Sequence, residues 1–256
     1  ELFVSPFYAR EKELGGHFDN EVGGWERAFA YESNRQNLSQ YLQTVPTRDN
    51  EWDRRHVPYE IANAEHLAMS ESAGMINLSH FAIMDIKGSD AERMLEYLSV
   101  AKVGANTPEG RVIYTNFLDE DGGVHADLTI SRMGNDYYRV VTGGADGNRD
   151  WVTLRNYRDD HGLEADINIR THDISTLGLW GPHAERALGH FIDPGEINIG
   201  NFPFVTAKEL TLKLPHKKTI EVWAARISYV GESGWEIYLN NNSEEGLALY
   251  DALLEV

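Results

Sequence analysis

An eight-residue pattern occurs twice in this chain. Gly88-Ser-Asp-Ala-Glu-Arg-Met-Leu95 and Gly181-Pro-His-Ala-Glu-Arg-Ala-Leu188 share Gly-x-x-Ala-Glu-Arg-x-Leu. Each copy follows a strand-like run and opens a helix-like one, so each reads as a strand–turn–helix unit. Two such units point to a duplicated α+β half rather than a short-period solenoid. A chance likeness between two capped helices is the alternative.

The periodicity around the repeats predicts the other elements. Ser5-Pro6 opens a short helix that Gly15 ends. Asn34 to Glu65 is polar and reads as loops with room for one helix. Met75–Ile86 alternates like a single strand. Ser89-x-x-Glu92 has the form of a capping box that starts a helix to about Leu98. Val112–Leu118 and Val124–Ile130 are strands joined by the turn Asp119-Glu-Asp-Gly-Gly123, and Tyr137–Thr142 is a third. Arg149–His161 is a helix stopped by Gly162. Further strands fit Ser175–Trp180, Thr206–Leu214, Thr219–Ser228 and Trp235–Leu239. Hairpins mixed with helices predict α+β architecture with antiparallel sheets, not a doubly wound parallel one. The amphipathic helix from Ser243 carries no stop signal, so the chain reads as one cut short.

Composition removes several function classes. The 256 residues suffice for one large domain or two small ones, and the net charge is −18. A nucleic-acid partner needs a basic face, and 41 acids against 23 Lys plus Arg do not supply one. Salt adaptation and ordinary solubility account equally for the acidity. With no cysteine, disulfides, thiolate metal sites and a cysteine nucleophile are all excluded. No run approaches the ~18 apolar residues of a membrane span, and none reads as a signal peptide. The expectation is a cytoplasmic protein with no membrane partner.

Four motifs have a possible chemistry. Asp119 and Asp121 fill the first and third positions of a calcium loop, but Gly123, Val124 and Ile130 stand where ligands and the turn glycine are needed, so no metal is expected. Thr142-Gly-Gly-Ala-Asp-Gly-Asn148 lacks the dinucleotide spacing and reads as a tight turn with a glycine at positive φ. In Val124-His-Ala-Asp-Leu-Thr-Ile130, alternation puts His125, Asp127 and Thr129 on one face, toward solvent or a pocket. In Arg226-Ile-Ser-Tyr-Val-Gly-Glu-Ser-Gly-Trp-Glu-Ile237, Tyr229 and Glu236 flank a glycine turn. They are either an ordinary hairpin pair or a slot for a flat, nitrogen-rich ring, one side chain stacking and the other accepting two N–H bonds.

These two clusters resemble the tetrahydrofolate-dependent aminomethyltransferase family, the glycine-cleavage T-protein type. The likeness runs in order through Ser-Pro-Phe-Tyr-Ala-Arg-Glu-Lys-Glu-Leu-Gly-Gly (5–16), Gly24-Trp-Glu-Arg27, Ala-Gly-Met-Ile-Asn-Leu-Ser-His-Phe (73–81), the Tyr114–Ile130 hairpin, Leu-Gly-Leu-Trp-Gly-Pro-His-Ala (177–184) and the 226–237 segment. It implies a T-protein-like fold with two interleaved domains (1–65 plus 145–256, and 66–144) and without the closing C-terminal β-barrel. It also implies tetrahydrofolate as cofactor. By position, Asp127 matches the catalytic aspartate and Glu236 the glutamate that holds the pterin edge; Tyr114, Arg226 and Tyr229 fall on cleft-lining positions. Arg27 and the Thr142–Trp151 stretch are more similar to the folate domains of dimethylglycine and sarcosine dehydrogenases. The implied activity is one-carbon transfer from a methylated amine to give methylenetetrahydrofolate, with a flavin dehydrogenase domain or subunit as partner. The alternatives are a non-catalytic folate-binding module and a folate-dependent O- or S-demethylase.

Overall fold

The computed structural model describes every residue except Glu1, Asp19, 45–58, Ala105 and Asn242, and the Asn34–Glu65 expectation falls partly on that gap. Ser5 Oγ accepts from Phe7 N at 3.2 Å ahead of α1 (Tyr8–Glu13). A hairpin, β1 (Asn20–Val22) and β2 (Trp25–Arg27), follows. Then come the short helices α2 (Asn34–Asn37) and α3 (Ser39–Leu42), and the longer α4 (Tyr59–Glu71).

The run expected as one strand, Met75–Ile86, is two. β3 (Gly74–Asn77) and β4 (Ala82–Lys87) lie in different sheets. The break is local chemistry. Asn77 Oδ1 accepts from Ser79 N at 3.1 Å and Phe81 N donates to Leu78 O at 2.9 Å, so a turn replaces the ladder. Next are α5 (Ala91–Leu98), β5 (Val112–Leu118), β6 (Val124–Gly134), β7 (Tyr137–Thr142), α6 (Gly147–Asp160), β8 (Asp166–Ile169) and β9 (Ile174–Trp180). They are followed by α7 (Ala184–Leu188), α8 (Pro194–Ile197), β10 (Thr206–Lys213), β11 (Thr219–Arg226), β12 (Gly234–Asn240) and α9 (Ser243–Leu254).

Two five-stranded antiparallel sheets result, in the orders β5-β6-β7-β4-β8 and β10-β11-β12-β9-β3. Position by position the orders match, except that the last place of the second sheet is filled by β3, which precedes the whole first sheet in the chain. The two halves are therefore interleaved. Met84, Ile86, Leu128, Ile130 and Val140 of the first sheet pack on Met94 and Leu95 of α5 and Leu154 of α6. Leu210, Val222, Trp235 and Ile237 of the second pack on α7, α8, α9 and Phe7. The opposite faces meet each other through Ile83, Val112 and Val141 against Ile174, Ala207, Ala225 and Tyr238. The order of layers is helix, sheet, sheet, helix.

The repeated motif has one structural job in both places. Gly88 and Gly181 have φ of +147° and +130°, and a Cβ on either would strike a backbone carbonyl, that of Glu164 at 2.1 Å or of Ser72 at 2.3 Å. The same carbonyls accept from Asp90 N at 3.1 Å and His183 N at 2.8 Å. In each half, the segment leading into the edge strand locks onto the start of the repeat helix. This explains why the expected capping box does not form. Ser89 Oγ donates to Glu164 at 3.1 Å, and Glu92 accepts from Tyr138 Oη at 3.1 Å. The glycine-rich 142–148 turn also differs from expectation: Gly143, Gly144 and Gly147 are absent from the positive-φ residues. Gly144 is needed for close approach, since a Cβ there would lie 2.1 Å from His80 O.

Candidate functional site

β6 brings Asp127 to the inner face of the first sheet. Its neighbour two residues on, Thr129, pairs with Val141, which belongs to the layer between the sheets. Paired residues in an antiparallel ladder share a face, so Asp127 points the same way, beyond the end of the apolar contact, where it is exposed. Tyr114 of β5 donates its phenol to Asp127 Oδ2 at 3.0 Å. The carboxylate in turn pushes the Tyr114 phenol above its ordinary range, through that bond first and its charge second. His125 does not share this face. The β5–β6 register shifts between Phe117 and Leu118, and at this bulge the His125 ring turns to Thr153 of α6, with Nε2 at 2.9 Å from Oγ1. Asp119 is a turn acceptor, taking Gly123 N at 2.7 Å and Asp121 N at 3.1 Å.

β12 brings Glu236 to the inner face of the second sheet, directly across from Ala225 and Gly178. The side chain is buried, and its single hydrogen-bond partner among the described residues is the Tyr238 phenol, which donates to Oε2. Burial pushes the Glu236 carboxyl up to about 7, against the smaller downward pull of that bond. On the same face Thr176 Oγ1 is buried and has no partner among the described residues. A buried acceptor with spare lone pairs and a hydroxyl left unsatisfied are costly to leave dry. They fit the edge of a ring that carries adjacent N–H and acceptor groups.

Arg226 stands one residue beyond Ala225 and therefore on the opposite face, so the structure does not bring it to Glu236. Its guanidinium donates to Ile197 O at 2.7 Å and Phe202 O at 3.1 Å, and stacks 4.9 Å from the Trp235 ring. It holds the end of α8 to the sheet. Tyr229, in the turn between β11 and β12, is 73% exposed and meets the Phe81 ring edge-on at 6.2 Å. Beneath these residues, Asp85 and Arg139 form a buried pair across β4 and β7, with Nε to Oδ1 at 2.8 Å. Arg170 and Tyr137 add bonds to Asp85 of 3.1 and 2.9 Å, and the Arg139 guanidinium lies 5.2 Å from the Trp223 ring of the other sheet.

Several of these participants escape sequence reading. Tyr238 is two residues from Glu236, the i, i+2 spacing that places side chains on one strand face, and that signal was available. Asp85 sits in an apolar run and its partners are 54 and 85 residues away, so no local signal marks it.

The family model described as the GCVT N-terminal domain matches residues 7–256. An aminomethyltransferase of Chlorobaculum parvum is 33% identical over 202 residues, covering 77% of this chain and 51% of its own. An aminomethyltransferase of Alkaliphilus oremlandii is 28% identical over 200 residues, with 78% and 51% covered. Human mitochondrial dimethylglycine dehydrogenase is 29% identical over 204 residues, 78% of this chain and 22% of that one. The chain thus spans about half the length of the aminomethyltransferases it matches. Among solved structures, the glycine cleavage system aminomethyltransferase T of Bartonella henselae superposes with a TM-score of 0.73 at 21% identity, over 99% of this chain and 57% of that one. The heterotetrameric sarcosine oxidase of Corynebacterium sp. U-96 gives 0.52 at 18%, over 76% and 93%. At those identities the likeness is one of fold.

Proposed function

The chain belongs to the GCVT aminomethyltransferase family, and from that premise we propose that it carries a one-carbon unit from a methylated amine to tetrahydrofolate, giving methylenetetrahydrofolate. The observation that supports the reading is Glu236. It is a buried carboxyl with one neutral partner among the described residues, raised to about 7, on a face that looks toward the Asp127 sheet.

Tetrahydrofolate would supply the nucleophilic nitrogen that takes the carbon. Glu236 would accept two N–H bonds from its amino-pyrimidine edge, with Tyr238 fixing the carboxyl. Tyr229 and Phe81 would give aromatic surface at the mouth. Asp127, held by Tyr114, would stand as an anion beside the cationic carbon–nitrogen unit of the donor and accept the proton that the attacking nitrogen sheds. The pterin contacts orient rather than make bonds. Human dimethylglycine dehydrogenase, a relative, carries in its name the oxidation of a methylated amine, and so does the sarcosine oxidase that shares the fold. That favours a flavin dehydrogenase as the supplier of the oxidised donor. No helix among the described residues is long and apolar enough to cross a membrane.

The test is mass spectrometry of the folate pool after incubation with dimethylglycine or sarcosine, a flavin dehydrogenase and the chain. Methylenetetrahydrofolate formed only when the chain is present is the expected result. Methyltetrahydrofolate from an O- or S-methyl donor, or folate binding with no product, would overturn it.

A further inference from the structure

Arg27 ends β2 and has no role in the site described above. It is half-buried and lines a half-open cavity of about 700 Å³ whose walls include β2, α4 and β3. No hydrogen bond or ion pair engages its guanidinium among the described residues; burial disfavours its charge first, and the Glu11 carboxyl offsets this only from a distance. Three carboxyls share the wall, those of Glu11, Glu26 and Glu65. Glu11 is 2% exposed and accepts from Tyr31 Oη at 2.8 Å and Asn77 Nδ2 at 3.0 Å. Glu65 accepts from Tyr31 N at 3.1 Å and Asn34 Nδ2 at 2.8 Å. All four donors are neutral. Trp25 and Met75 add apolar surface.

The cavity lining thus carries Arg27 and the acids Glu11, Glu26 and Glu65, none directly paired with the opposite sign among the described residues. Partly desolvated charges of both signs, left unpaired, are unfavourable. An anion alone would settle Arg27 and meet the carboxyls. A cation alone would leave Arg27 as it is. A small molecule carrying both charges satisfies both, and the volume lies within the usual range for small ligands. We propose that this cavity binds an amine that bears a carboxylate, with Arg27 gripping the carboxylate and Glu11 and Glu65 facing the amine.

A guanidinium suits that grip because it donates two parallel N–H bonds to one carboxylate. The cavity also adjoins the candidate folate slot. Val230 lines it, and the next residue, Tyr229, packs on Phe81 outside it. His80 also lines the cavity and is held neutral there, pushed down to about 3 by burial and then by Arg27. The assignment of this ligand as the one-carbon donor rests on the proposed function; its binding does not.

The test is calorimetric titration of the chain with dimethylglycine in the absence of folate, against dimethylamine, which lacks the carboxylate. Thermal melts confirm that each variant is folded. Arg27→Gln should weaken dimethylglycine by at least about tenfold, and Arg27→Lys should recover part of the loss, since it restores charge but not the fork. Dimethylamine should bind more weakly than dimethylglycine and be indifferent to Arg27→Gln. Equal affinity of wild type and Arg27→Gln for dimethylglycine would overturn the proposal. So would a loss confined to tetrahydrofolate polyglutamate, which would make Arg27 an anchor for the folate tail. Arg27-dependent binding without any transfer to folate would sink the transferase reading and leave this one standing.

Discussion

Asp127 and Glu236 are both carboxyls on inward strand faces, but their surroundings differ. Asp127 is exposed with a phenol against it, and Glu236 is buried against one. Replacing Asp127 by Asn keeps shape and removes the charge. Folate affinity should stay within a factor of about two while transfer falls by at least about a hundredfold in single-turnover assays, the scale for loss of a positioned acid–base group. Glu236→Gln keeps the fold and exchanges an acceptor for a donor. Folate affinity should fall by roughly 10–100-fold, the scale of a bond to a charged group. The titration of Glu236 has a sign. In the folded chain it holds its proton up to about 7, and in the unfolded chain only to about 4.5. Stability from this group is therefore fully present below 4.5 and is lost as pH rises toward 7, by about 3 kcal/mol at most. Urea unfolding from pH 4.5 to 8 should show that loss in the wild type and not in Glu236→Gln. Folate binding needs the charged form, so it should strengthen as pH rises through about 7, by no more than tenfold per unit.

At the scale of elements, the two copies of Gly-x-x-Ala-Glu-Arg-x-Leu make the same joint. Gly88→Ala and Gly181→Ala should each destabilise by about 2 kcal/mol or more, because φ and the facing carbonyl both exclude a Cβ. Thermal unfolding of the two variants should show similar drops. A neutral Gly181→Ala would mean that only the first copy carries the joint. This repeat was legible in the sequence, and so were the β5–β6 hairpin and most later strands, because their alternation is local. Asp127 was placed on its face by the same alternation. What escaped is non-local or backbone chemistry. The bulge at His125 depends on register with β5. Asn77 divides a continuous alternating run by capturing Ser79 N. Arg226 looked like a cleft residue from its motif, and only the pairing of Ala225 with Glu236 shows it to face the helices. Arg27, without a partner among the described residues, lines a cavity whose walls include β2, α4 and β3, elements distant in the chain.

At the scale of the whole molecule, backbone bonds tie the β5 and β10 ends of the two sheets, Val112 N to Val205 O at 2.9 Å and Ala207 N to Gly110 O at 2.6 Å, and a buried ion pair lies behind them. Asp85 and Arg139 are among the most buried charges, and Arg139 reaches Trp223 on the opposite sheet. Removing one partner, as in Asp85→Leu, should cost roughly 3–5 kcal/mol by leaving the guanidinium buried and uncompensated. The double variant Asp85→Leu/Arg139→Met should recover most of that. Urea denaturation of the three proteins measures the coupling, and additive losses would show that the pair does not act as a unit. The interleaving of the halves has a further result in time. The first sheet is built from residues 82–169 and can close as they emerge from synthesis. β3 leaves the ribosome before all of them, yet its partner β9 follows about a hundred residues later. Until then its edge stays open, a docking strand held beside a finished neighbour. Pulse-labelled hydrogen exchange during refolding should find the amides of β4 to β7 protected first and those of Gly74–Asn77 last, since loop closure over that span is the slow step. A chain interrupted between Ile169 and Ile174 would carry an unpaired edge, and aggregation of such a fragment is the hazard this order of assembly creates.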